Sequence, residues 1–67
     1  MLQTHPIRLR RKFEIFVVSH DRKRELLKTV SAVDETGAVQ IANQLQWEGD
    51  RLEIWCGHLF VRNIWRS

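Results

Sequence analysis

The chain has 67 residues, 11 Lys and Arg against 8 Asp and Glu, a net charge of +3 and a pI near 9.8. So short a chain makes one domain, near the lower limit at which apolar burial offsets the entropy of folding, and association with a second chain is a ready source of further burial. The single Cys56 excludes an internal disulfide, no run approaches the ~20 apolar residues of a membrane span, and the start M-L-Q-T-H-P-I-R-L-R-R-K lacks a hydrophobic signal segment, so a cytoplasmic location without membrane contact is expected.

The charge is uneven along the chain. Residues 1–33 hold eight Lys and Arg against three acids and residues 34–67 three against five, so the halves carry +5 and −2. Such asymmetry suits nucleic acid, and it equally steers the basic part of one chain to the acidic part of another.

Residues 1–12 read as a basic, flexible arm, in which Arg8, Arg10, Arg11 and Lys12 are either phosphate-binding residues of the arm or the solvated start of a strand. The remainder, 13–67, reads as a single ββαββ domain. Residues 13–19, F-E-I-F-V-V-S, are β-branched and aromatic and predict a strand, with Phe13, Ile15 and Val17 on one side and Phe16 and Val18 on the other. A strand apolar on both sides belongs in the middle of a sheet or under a second layer. The polar run 20–24, H-D-R-K-R, predicts a turn initiated by Asp21, and 26–33, L-L-K-T-V-S-A-V, an antiparallel second strand. At ~3.3 Å per residue the basic clusters 8–12 and 22–24 lie about 20 to 35 Å apart, at opposite ends of this hairpin.

Residues 34–49, D-E-T-G-A-V-Q-I-A-N-Q-L-Q-W-E-G, carry the one helical period. Ala38, Ile41, Ala42 and Leu45 share a face, Asp34 is a suitable N-cap, Glu35 favours the helix dipole, and Gly49 suits the C′ position. The opposite face, Gln40, Asn43, Gln44 and Trp47, has no charge. It reads either as a contact surface centred on Trp47 or as a helix end from which Trp47 folds back onto the core edge.

Residues 50–64 predict a closing hairpin with Cys56-Gly57 at the turn, which pairs Trp55 with His58, Ile54 with Leu59, Glu53 with Phe60 and Leu52 with Val61. Leu52, Ile54, Leu59 and Val61 then face the helix, and Glu53, Trp55, Phe60, Arg62 and Ile64 face away. Trp65 reads as a last strand residue packing on an edge. The expected architecture is a small two-layer α+β domain, an antiparallel sheet with one helix on one face.

With helix and hairpin in place, the motifs D-E-T-G-A-V-Q-I-A-N-Q-L and L-E-I-W-C-G-H-L-F-V-R resemble those of short uncharacterised ββαββ proteins of Alphaproteobacteria, rhizobia and their relatives especially. The likeness spans residues 13–64. It implies the fold and a protein of unknown function, and it carries over no catalytic residue. The cysteine at the turn and the basic first half depart from that pattern.

Cys56-Gly57-His58 is the one place where a nucleophile adjoins a base, and in a tight turn the two side chains diverge. His5 and His20 are not at metal-ligand spacing, the acids Asp34, Glu35, Glu48, Asp50 and Glu53 flank element ends, and the glycines at 37, 49 and 57 form no phosphate loop. No catalytic residue, metal or cofactor is expected. The informative surface is aromatic: Phe16, Trp55 and Phe60, with Trp47 on the helix, predict a partner surface, foremost for a second copy or another protein. The alternative is an accessory protein that holds nucleic acid through Arg8, Arg10, Arg11 and Lys12, with bases stacked on aromatics between Arg51 and Arg62.

Overall fold

Two hairpins flank one helix in the computed structural model, which describes residues 9–66: β1 (Arg11–Val18), β2 (Arg24–Ala32), α1 (Glu35–Asn43), β3 (Arg51–Cys56) and β4 (Leu59–Trp65). The strands form one antiparallel sheet in the order β2-β1-β3-β4, and α1 packs on one face of it. This is the expected two-layer α+β ββαββ domain. β1 is apolar on both sides because it is an inner strand, paired with β2 on one flank and β3 on the other. It begins at Arg11, so Arg11 and Lys12 belong to the sheet and not to the arm.

The first turn sits one residue earlier than the sequence predicts. The Ser19 carbonyl accepts from the Arg22 N–H at 3.0 Å, the Ser19 N–H donates to the Lys23 carbonyl at 2.9 Å, and Asp21 accepts from the Ser19 hydroxyl. Arg22 has φ 67, the left-handed position where such three-residue loops take glycine. Arg22→Gly is therefore expected to raise stability by about 0.5–1 kcal/mol, read as a higher denaturant midpoint at unchanged slope.

Asp34 caps α1 as expected. Its backbone is extended and its carboxylate accepts from the Gly37 N–H at 2.9 Å. Ala38 and Ala42 are fully buried, with Ile41 and Leu45 half-buried against the same core. Small residues set the closeness of the two layers, for a Cβ at Gly37 would stand 3.3 Å from that of Ala32 on β2. The helix stops at Asn43, six residues short of Gly49. Its last turn tightens, with Gln44 and Leu45 donating to the carbonyls three residues back, and Leu45 and Trp47 then both reach the core at a spacing of two that a helix does not allow. Gly49 is no helix C′ residue: at φ 150 it lies against Val17 and Val18 of β1.

The second turn is Gly57-His58, one residue later than expected. Gly57 has φ 63 at the first turn position, and Cys56 pairs with Leu59 and Trp55 with Phe60. Val61 is then an extra residue, after which Ile54 pairs with Arg62, Glu53 with Asn63, Leu52 with Ile64 and Arg51 with Trp65. Because side chains alternate, the shifted turn and the bulge together correct the predicted faces. Ile64 packs against the core and Arg62 reaches Glu35 of the helix at 3.6 Å, so both lie on the helix side; Val61 packs against the core as expected, and Leu59, opposite Cys56, keeps its expected side but is exposed.

The core comprises Phe13, Ile15, Val30, Ala32, Ala38, Ala42, Leu52 and Ile54. At about 1.5–3 kcal/mol per large apolar side chain removed from water, Phe13, Ile15, Leu52 and Ile54 are its main contributors.

Candidate functional site

The face of the sheet turned away from α1 is built by alternation. β1 contributes Glu14, Phe16 and Val18, β3 contributes Arg51, Glu53 and Trp55, and their register sets Phe16 opposite Glu53 and Glu14 opposite Trp55. β2 adds Arg24 and Leu26 on the outer flank of β1, and β4 adds Phe60, Asn63 and Trp65 on the outer flank of β3.

Glu53 is the centre of this face and is only 6% exposed. One carboxylate oxygen accepts from the Trp55 indole N–H at 3.0 Å and meets Arg24 Nε at 3.0 Å, while the other meets Arg51 Nη2 at 3.0 Å. Burial pushes the carboxyl pKa up, but the indole, the Arg51 guanidinium and the positive charges of Arg24 and Arg51 outweigh it and hold the group below the ordinary glutamate range. Arg24 reaches Glu53 across β1, passing over the Phe16 ring (5.9 Å to its centroid) and the Trp55 ring (5.4 Å). Arg51 donates to Asn63 at 3.3 Å and covers the Trp65 ring at 5.4 Å. Trp55 and Phe60 meet edge to face with centroids 5.5 Å apart. The result is a sheet of aromatic rings and guanidinium planes locked together by one carboxylate.

Of the predicted partner surface, Phe16, Trp55 and Phe60 come together here, and Trp47 does not. Trp47 lies beyond α1, half-buried against the core, with Arg66 over its ring at 4.8 Å and donating to its carbonyl, which is the folded-back arrangement. Arg62, expected beside the aromatics, lies on the other side. Arg10, Arg11 and Lys12 are exposed, with Arg10 donating to the Ser31 carbonyl at 3.3 Å; Arg8 lies outside the described residues. Arg11 pairs with Ala32 and Arg24 with Val18, so the two basic clusters stand at opposite ends of β1. Glu53 lies on the face that the sequence predicts for it, but its place at the centre, and the membership of Arg24 and Trp65, are not foreseen there. The spacing Arg51, Glu53, Trp55, with a period of two, was the available signal.

Cys56 packs against the core, whereas His58 borders a shallow depression on the open face with Glu14, Phe16, Arg24 and Trp55. The thiol and imidazole thus diverge. Among the described residues no group of three or more His, Cys, Asp or Glu is placed to hold a metal ion, and no helix is long and apolar enough to cross a membrane.

Fold and face together define a two-layer ββαββ domain with an aromatic and arginine-bearing sheet surface that no second layer covers among the described residues. Comparison with protein-family models, with curated proteins and with solved structures finds no match to the chain.

Proposed function

We propose that this chain is a non-catalytic association module that pairs with a second copy of itself in the cytoplasm, using the apolar surface of the open sheet face. What supports the reading above all is the pair of exposed rings that β4 sets on this face, Phe60 at 48% and Trp65 at 63% exposed, beside the half-buried Trp55. Residues of this size in one stretch of surface mark association sites, and a chain of 67 residues gains in stability from covering them.

Sedimentation equilibrium at low and high salt, with a short oligonucleotide in a parallel cell, tests this. The expected result is a dimer at both salts that ignores the oligonucleotide. Phe60→Glu, at an exposed position, should weaken the dimer about tenfold or more with an unchanged far-UV spectrum. A Phe60→Glu chain that dimerises like the original would remove the assignment.

The exposure of Arg10, Arg11 and Lys12 favours a second reading, nucleic-acid binding through phosphate contacts, whose affinity falls steeply with salt. A monomer that gains mass with the oligonucleotide only at low salt would put this reading in place of the first.

A further inference from the structure

Where α1 ends, its uncharged side runs into a shallow depression of about 350 Å3 that reaches the last residues of β4. Two indoles (Trp47 and Trp65), two primary amides (Asn43 and Gln46) and one guanidinium (Arg66) line it, together with aliphatic side chains of the core, and no carboxylate does. Asn43 and Gln46 are exposed, and neither amide enters a hydrogen bond among the described residues. Arg51 stands over the Trp65 ring, which is still largely exposed, so the rest of that ring is open to a ligand. Arg66 lies over the Trp47 ring and uses one N–H on the Trp47 carbonyl; its remaining N–H groups have no partner among the described residues.

We propose that this depression holds a nucleotide, its base against Trp65 with Asn43 and Gln46 at the base edge, and its phosphate on Arg66. The lining disfavours the other ligand classes in turn. A cation finds no carboxylate there and meets Arg66. A hydrocarbon would cut the two amides off from water without giving them partners. A sugar suits indoles and amides but brings no anion to the guanidinium. A nucleotide engages every group. Indole faces stack any base, and a primary amide sets a donor beside an acceptor, the pattern of the adenine N6 and N7 edge. A guanidinium matches phosphate oxygens. The surrounding charge agrees: Trp65 pairs with Arg51, Arg51 with Val18 and Val18 with Arg24, so Arg24 and Arg51 stand at this same end of the sheet and share one carboxylate, Glu53. Glu48 borders Arg66 in an adjoining hollow and makes no ion pair with it among the described residues. The site goes beyond both readings above. It lies at the opposite end of the sheet from Arg11 and Lys12, and Trp65 alone joins it to the self-association surface. A free nucleotide and one nucleotide of a single strand offer the same chemistry.

Titration of the isotope-labelled full chain with adenosine monophosphate, at one fixed protein concentration and followed through its three indole N–H signals, tests the site. The Trp47 and Trp65 signals should shift and saturate, while Trp55, whose N–H is held by Glu53, stays in place. Asn43→Ala combined with Gln46→Ala, both at exposed positions, should weaken the nucleotide about tenfold and leave ribose 5-phosphate, which has no base, unchanged. Glu48→Gln should instead strengthen it by about twofold, because a negative charge beside the phosphate is removed, a gain that a loosened fold does not produce. A short oligoadenylate in a parallel titration separates the two sources. Saturation at about a tenth of the mononucleotide concentration assigns the site to a strand, and saturation at no lower concentration assigns it to the free nucleotide. Equal shifts from adenosine monophosphate and ribose 5-phosphate overturn the base contact, as does a double variant that binds the nucleotide like the original. Trp47 and Trp65 signals that move with neither nucleotide nor oligoadenylate overturn the site, whatever the oligomeric state of the chain.

Discussion

Glu53→Ala is expected to lower the free energy of unfolding by about 2–3 kcal/mol, read as a lower urea midpoint. The change leaves the Trp55 indole N–H without its acceptor and sets the Arg24 and Arg51 guanidiniums side by side with no counter-charge. Breaking a fully enclosed ion pair costs about 3–5 kcal/mol. The Arg24 side chain is 52% exposed and can turn to water, which brings the figure down. Glu53→Gln should lose less, about 1–2 kcal/mol, since its amide oxygen can still accept from the indole. The same cluster gives a pH dependence of fixed sign. Because the native carboxyl titrates below the ordinary glutamate value, the unfolded chain takes up this proton at higher pH than the folded one. The contribution of Glu53 is complete above the unfolded-state value of about 4.3 and is lost as pH falls through the native one. The stability difference between the original chain and Glu53→Gln should therefore hold steady at neutral pH and shrink in acid. Asp21, held low by the Ser19 hydroxyl, adds the same slope to both proteins and cancels. A difference that stays flat into strong acid would mean that the carboxylate is not held by these partners.

Gly49→Ala is expected to destabilise the domain by about 2 kcal/mol or more in the same assay. A methyl group there would stand 2.7 Å from the Val18 carbonyl oxygen and 2.8 Å from Val17 Cγ2, at a φ of 150 that side chains rarely adopt. The first obstacle is backbone, and the Asp50 N–H donates to that same carbonyl at 2.8 Å, so the loop cannot back away without giving up the bond that starts β3 beside β1. The contrast is Gly57, where a Cβ meets nothing within 4 Å and the φ of 63 is the sole obstacle. Gly57→Asn, a residue that tolerates the left-handed region, should therefore cost less than Gly49→Ala.

What the sequence made legible was local. The period of two in β1, the 3.6 period through Ala38, Ile41 and Ala42, and the oxygen of Asp34 before the first helical turn are each written within a few residues. The turn at Cys56-Gly57-His58 was misplaced by one because glycine satisfies a positive φ at either central position, and composition does not choose between them. The helix end was misplaced because a glycine needed for close approach to β1 looks, in sequence, like a glycine that ends a helix. The site was half legible. Phe16, Trp55 and Phe60 follow from alternation, but Arg24 reaches Glu53 only because β1 lies between β2 and β3, a pairing that neither hairpin encodes.

Both outer strands carry one residue more than the inner strands they flank: Leu27 on β2, unpaired between Lys28 and Leu26, and Val61 on β4, unpaired between Phe60 and Arg62. These two surplus residues border the same central row, Ile15 beside Ile54. A strip whose margins are longer than its midline cannot lie flat, so it warps into a saddle, and each bulge adds to the right-handed twist that does so. The alternation of side chains resumes across each bulge as though the extra residue were not there. Leu27 and Val61 are thus the two places in the sheet where the chain could lose a residue and keep every other side chain on its own side, trading curvature for length.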